Sequence, residues 1–202
     1  MNAPCAAETK LRAWLAAGAK ERLKLVRDDF AGNEFSLTNL LFYSGSLTER
    51  LRQCGRSLCA YIGSFTPISA WKVFWYRRAG MRIGKNVFIS PGVLLDLLFP
   101  QLITLEDGVV LGLEAIIVAH IYTPEKIVVA RATVGAQGLV GGRAILAATH
   151  IGEEGVLGAN CTASKPVPAG YIALGPDLEL FQRIGESPDA AKIQEKQNDE
   201  RT

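Results

Sequence analysis

The chain has 202 residues, 49% of them hydrophobic and 21% charged, enough apolar content to bury a core and to exclude a disordered polyelectrolyte, so one main domain with an accessory segment is expected. The net charge of +2 hides an asymmetry: residues 1–82 carry 13 basic and 6 acidic side chains, whereas residues 83–202 carry 9 and 14. Cys5, Cys54, Cys59 and Cys161 form no CxxC pair and have only His120 and His150 to join them as ligands, which argues against a zinc site or a disulfide framework and points to a reducing, cytoplasmic setting.

Residues 8–29 mix Leu, Ala, Lys, Arg and Glu, with Leu11, Trp14, Leu15 and Leu25 near helical spacing, and read as one amphipathic helix. The same interleaving of charges from Lys10 to Asp29 lacks the apolar core of a signal peptide. After a break at Gly32 and Asn33, a second helix is predicted from Leu47 to about Ile62. Pro67 and the aromatic-basic run Trp71-Lys72-Val73-Phe74-Trp75-Tyr76-Arg77-Arg78 follow, and Gly80 closes a helical segment of residues 1–80. No stretch reaches the ~18–20 apolar residues of a membrane span. Residues 50–82 hold seven Lys or Arg together with Trp71, Phe74 and Trp75, a composition that suits a helix laid on an anionic membrane surface. The alternative, in which the aromatic side packs on the base of the next domain, is the more economical, because apolar faces most often serve a core.

From Ile83 the texture changes to short aliphatic residues punctuated by Gly, and a period of six appears. Its anchors are Ile83, Ile89 and Leu95; Leu105, Leu111 and Ile117; Val128, Val134 and Val140; and Leu146, Ile151 and Leu157. Three residues after each anchor the chain is polar or Gly in every case but Leu98, and the residue directly after is Gly at 84, 112, 135, 141, 152 and 158. Neither the period of a helix nor that of a sheet keeps aliphatic residues in step every six positions, but a stacked coil with six residues to each face does. The register breaks at 95–105, 117–128 and 146–151; the first two read as loops of four and five extra residues and the third as a tightened corner. Residues 81–172 are the predicted coil domain, and residues 173–202 a short C-terminal helix and a tail, charged and loose from about Glu186.

Ile83-Gly84-Lys85-Asn86-Val87-Phe88-Ile89, Ile103-Thr104-Leu105-Glu106-Asp107-Gly108-Val109, His120 before a break, and Ile151-Gly152-Glu153-Glu154-Gly155-Val156-Leu157-Gly158-Ala159-Asn160 running into Lys165-Pro166-Val167-Pro168 resemble the hexapeptide-repeat O-acetyltransferases. That family includes galactoside and maltose acetyltransferases and polysaccharide-modifying enzymes. The resemblance implies a mainly β fold, a left-handed parallel β-helix of about four to five coils over this length, assembled as a homotrimer with active sites between neighbouring coils. It also implies acetyl-CoA as co-substrate, no metal, and a hydroxyl of a sugar, polysaccharide precursor or other small molecule as acceptor. His120 corresponds to the general base. Gly142 occupies the position whose backbone N–H stabilises the oxyanion. Gly135, Gly141 and Ala159 are small enough to let pantetheine lie against the coil, Lys165 matches a lysine that meets the nucleotide portion, and Ser164 assists. The stretch Ala173-Leu174-Gly175-Pro176-Asp177-Leu178 departs from the Gly-x-Pro-Ala-Lys-like sequence usual in the family, and residues 1–80 carry no recognisable acceptor site.

Simpler roles stand beside these. His120 also fits a polar corner residue, His150 reads as exposed, and Asp96, beside the first break, suits either a hydrogen bond to a substrate hydroxyl or turn chemistry. A carbonic-anhydrase-like metalloenzyme on the same coil needs three histidines where the chain has two. A non-catalytic trimeric scaffold is the further alternative, motivated by the altered end after Ala173. The acidic coil half and the lack of a recognised motif argue against nucleic acid as a partner.

Overall fold

Short apolar pairs separated by polar corners form strands of two to four residues that visit three parallel sheets in rotation. The computed structural model describes residues 5–30, 36–37, 46–175 and 178–182. Among the described residues the helices with defined bounds before the coil are α1 (Ala6–Ala16), α2 (Leu47–Phe65) and α3 (Ser69–Arg78). Strand β1 (Leu23–Val26) lies between α1 and α2.

The first sheet takes β2 (Arg82–Ile83), β5 (Ile103–Leu105), β10 (Ala132–Val134) and β13 (His150–Ile151). The second takes β3 (Phe88–Ile89), β6 (Val110–Leu111), β11 (Leu139–Val140), β14 (Val156–Leu157) and β16 (Tyr171–Leu174). The third takes β4 (Leu94–Leu95), β7 (Ile116–Val118), β12 (Ile145–Ala147) and β15 (Thr162–Ala163). Registers stack the anchors in three ladders: Ile83, Leu105, Val134 and Ile151; Ile89, Leu111, Val140 and Leu157; and Leu95, Ile117 and Leu146. All of them but the half-buried Ile83 are buried, so each ladder removes a column of aliphatic side chains from water.

The corners explain the polar phase of the repeat. Three residues after an anchor the backbone enters the left-handed region, with φ of 54° at Asn86, 57° at Glu114 and 58° at Asn160, where a buried aliphatic side chain would be both strained and misdirected. Glycine after the anchor answers a different need. A Cβ on Gly112 would stand 2.5 Å from the Gly142 nitrogen, and one on Gly141 would stand 2.5 Å from the Ala159 nitrogen, both on the next circuit.

Several expectations need correction. Val128 is no coil anchor, because it lies in a hairpin of β8 (His120–Tyr122) and β9 (Lys126–Val129), and the true successor of Ile117 is Val134, 17 residues on. The second break is therefore a longer extrusion than five residues. At the third break Ala148 takes φ 48° and its N–H donates to the Val118 carbonyl, which closes the corner one residue early. The single helix expected over 8–29 stops at Ala16; Gly18 and Ala19, at φ 86° and 52°, turn the chain into β1, which pairs antiparallel with β9.

Helix α2 covers the predicted 47–62 stretch, runs three residues beyond it, and starts in a capping box between Ser46 and Glu49. Helix α3 ends just before Gly80, at φ 99°. It buries Tyr76 and Lys72, but Trp71 and Phe74 face outward and Trp75 is half-buried, so the expected packing of the aromatic side on the coil holds for Tyr76 and fails for Trp71 and Phe74. Past residue 172 the described residues complete β16 and add the antiparallel β17 (Glu179–Gln182), with no helix among them. The Gly32–Asn33 break and the tail from Glu186 lie outside the described residues. Among the described residues no helix is long and apolar enough to cross a membrane.

Candidate active site

The period itself brings the two principal polar residues together. Because Leu95 pairs with Ile117, the residues just beyond each anchor meet where the third sheet ends: Asp96 donates its N–H to the Ile117 carbonyl at 2.9 Å, and His120 opens β8 two residues past the end of β7. Asp96 is 2% exposed and each of its carboxylate oxygens is committed. Oδ1 accepts the N–H of Leu98 at 2.7 Å and of Phe99 at 2.9 Å, while Oδ2 accepts the N–H of Ala119 at 2.7 Å and faces His120 Nδ1 at 2.7 Å. Burial raises the carboxyl, but the hydrogen bonds from His120, Phe99 and Ala119 outweigh it and hold Asp96 below the ordinary aspartate value.

An ionised carboxylate can only accept, so Nδ1 carries a proton, and in the neutral imidazole Nε2 is then the acceptor. The His120 side chain is 18% exposed, with Phe99 and Tyr122 set edge-on at 6.0 and 5.6 Å between ring centres. A carboxylate beneath, aromatic rings beside and a lone pair at Nε2 form the arrangement a general base needs. The surroundings lock it further. Gln53 and Ser57 of α2 donate to the carbonyls of Leu98 and Leu97 at 2.6 and 2.7 Å, and the Leu37 N–H donates to Tyr122 Oη at 2.8 Å.

Asp96 was expected to meet a substrate hydroxyl or to serve a turn. Its oxygens are filled from within the chain, so the substrate contact is not what the geometry offers; the turn contacts to Leu98 and Phe99 are present, and the hold on His120 is added to them. Sequence reasoning missed that second role, although the repeat supplied the signal: a residue one past Leu95 must fall beside the residues just past Ile117.

The remaining candidates divide between two places. Gly141, Gly142 and Ala159 stack on the corner between the second and third sheets, where the Gly142 carbonyl accepts from Asn160 at 2.9 Å and its N–H has no partner among the described residues. This corner lies at the start of β12, whereas His120 lies past the end of β7, so one chain sets Gly142 and His120 at opposite ends of the same face. Gly135 and Lys165 instead share an open cleft on the first sheet with Arg22, Arg131, Thr149 and the exposed His150. The Ser164 carbonyl, next to that cleft, accepts from Arg22 at 2.8 Å. Among the described residues no group of three His, Cys, Asp or Glu side chains is placed to hold a metal.

No family model matches the chain. It is 26% identical over 133 residues to the putative acetyltransferase YvoF of Bacillus subtilis, a span of 65% of this chain and 77% of that protein. A solved hexapeptide-repeat acetyltransferase of Vibrio cholerae superposes with a TM-score of 0.58 at 15% identity, over 70% of this chain and 96% of the other. Its complex with acetyl-CoA gives 0.56 at 14%, over 75% and 100%. Galactoside acetyltransferase in complex with coenzyme A gives 0.50 at 14%, over 70% and 84%. The expected resemblance to hexapeptide-repeat acetyltransferases is borne out, and the fold is theirs.

Proposed function

We propose that the chain is a CoA-dependent acyltransferase that moves an acetyl group from acetyl-CoA to a hydroxyl of a sugar, polysaccharide precursor or other small molecule. The observation that carries this reading is His120 held by Asp96 with Nε2 as its acceptor nitrogen; the relative named an acetyltransferase and the neighbours solved with acetyl-CoA and CoA support it. His120 Nε2 takes the proton from the acceptor hydroxyl as that oxygen attacks the thioester carbonyl. The negative oxygen of the tetrahedral intermediate meets the N–H of Gly142. When the carbon–sulfur bond breaks, the departing thiolate recovers the proton from the His120 imidazolium, and no acyl-enzyme forms. Asp96 holds the tautomer and steadies the transient cation.

Since His120 and Gly142 lie apart in one chain, a neighbouring copy supplies the second, and the proposed assembly is a homotrimer. The outer faces favour it. The outward residue before each anchor is Phe88, Val110, Leu139 and Val156 on the second sheet and Leu94, Ile116 and Ile145 on the third, but Arg82, Thr104, Thr133 and His150 on the first. Apolar outer faces of this kind are what an assembly of copies would bury. Gly135, Gly141 and Ala159 give the pantetheine arm a smooth surface, and Lys165 with Ser164 serves the nucleotide end of the cofactor. The same reading gives a left-handed coil of about four to five turns over residues 81–172, with residues 1–80 as an accessory segment, residues 173–202 beyond the coil, and the cytoplasm as the place of work.

Acetyl-CoA-dependent thiol release over a broad panel of hydroxylated acceptors tests the proposal. Turnover that disappears in His120→Ala is expected. Failure of acetyl-CoA and of longer acyl-CoAs with every acceptor, without binding, would leave only the scaffold alternative.

A further inference from the structure

We infer that the outward face of α2 and α3 docks on an anionic lipid bilayer. Along α2, Leu47, Leu51, Cys54, Leu58, Tyr61 and Phe65 recur at steps of four and three, which aligns them on one side of the helix, and all of them are exposed. Leu51 is 62% exposed and Phe65 73%. Ile68 in the connection and Trp71 and Phe74 on α3, exposed by 62% and 56% for the last two, extend the same apolar ground. Single exposed apolar side chains are ordinary, but a run along 19 helical residues and into the next helix is the kind of patch that marks an interaction site.

Charge selects the occupant. Residues 46–85 contain eight Lys or Arg and one acid, Glu49, which is paired with Arg12 at 3.1 Å. Lys72 is buried against the Gly63 and Ser64 carbonyls, whereas Arg78, which follows Trp71 and Phe74 at steps of three and four on one side of its helix, is exposed, as are Arg52 on the flank of α2 and Arg82 and Lys85 beyond α3. A second copy laid on this face would set the cationic field against itself. An anionic bilayer meets both features at once, its headgroups drawing the basic side chains and its outer acyl region receiving the apolar strip, with the aromatic rings at the boundary between them. The inner side of α2 holds the loop of Asp96 through Gln53 and Ser57, so one rigid helix links the docking face to the dyad. The inference rests on the helices and their charge, and holds whether or not acyl transfer is the chemistry.

The test is co-sedimentation of the full chain with extruded vesicles of phosphatidylcholine, alone or mixed with phosphatidylglycerol, at low and high salt, without any CoA. Binding to the mixed vesicles at least about ten-fold above that to phosphatidylcholine, weakened by salt, is expected. Leu58→Asp with Phe65→Asp should cut it about ten-fold with the melting temperature kept, and Arg78→Glu should lower only the anionic component. The inference is overturned if the wild type stays in the supernatant with anionic vesicles, or if both variants sediment like the wild type. It is equally overturned if the Leu58 and Phe65 changes lower the molar mass in solution while the wild type ignores vesicles, since the face then belongs to a second copy.

Discussion

Asp96→Asn alters the dyad while keeping its shape. The atom that accepts the N–H groups of Leu98 and Phe99, at 2.7 and 2.9 Å, can remain an oxygen. The other then becomes an NH2 facing the Ala119 N–H and His120 Nδ1, both at 2.7 Å in the native chain. The Ala119 donor is left buried without an acceptor, at a cost of about 1–3 kcal/mol. Opposite His120 the new donor requires Nδ1 to accept, which moves the ring proton to Nε2 and removes the base. Turning the amide over restores Ala119 and the native tautomer but strands both Leu98 and Phe99, so the first orientation, which strands one donor, is favoured. General-base assistance is worth about 10²–10⁴-fold, or about 3–5 kcal/mol, and kcat should fall by that factor. KM for acetyl-CoA should change little, because Asp96 touches only His120 and nearby backbone. Thiol release gives the kinetics and nitrogen NMR of the ring gives the tautomer; adding Asp96→Asn to His120→Ala should cost no further activity. Turnover within about three-fold of wild type despite a reversed tautomer would refute the base assignment, and an unchanged tautomer would refute the role of Asp96.

The same carboxylate gives the fold an acid limb. Its value is depressed, so its stabilisation is complete above the unfolded aspartate value of about 3.9 and is lost as pH falls through the lower folded value. Melting temperature should therefore drop more steeply below about pH 4 in wild type than in Asp96→Asn; parallel curves would contradict this. Gly112→Ala drives a Cβ to 2.5 Å from the Gly142 nitrogen, a backbone clash that should cost about 1–3 kcal/mol and lower the melting temperature by about 3–10 °C in calorimetry. Phe88→Asp with Leu139→Asp places two charges on the apolar second sheet, and light scattering should find monomer in place of trimer; an unchanged mass would remove the proposed interface.

The coil was legible because its physics is local and repeated. Each anchor needs only an aliphatic side chain facing inward and a polar residue able to take the corner, so the anchors could be picked out from spacing alone, whereas counting Val128 among them shifts every later one by a face and misdraws the ladders beyond Ile117. Val128 misled for the same reason, since β9 is itself a strand with alternating burial and only its pairing with β1 and β8 sets it outside the coil. Strand β1 was hidden because Leu23 and Leu25, which alternate in a strand, lie in a segment whose charges and leucines also satisfy a helix; the turn at Gly18 and Ala19 and the edge offered by β9 decide between them. At the candidate site His120 was visible as an imidazole beside a break, whereas the part played by Asp96 depends on contacts 23 and 24 residues away, at the Ala119 N–H and His120 Nδ1. Gly142 and Lys165 could be named from resemblance, but their places on separate parts of the coil follow only from the folded registers.

The most direct test of the account is a paired measurement on wild type and His120→Ala: calorimetric titration with acetyl-CoA, then thiol release with an acceptor that the wild type uses. Both should bind acetyl-CoA with similar affinity while turnover in the variant falls by about 10²-fold or more. Absence of binding in the wild type, or undiminished turnover in His120→Ala, would contradict it.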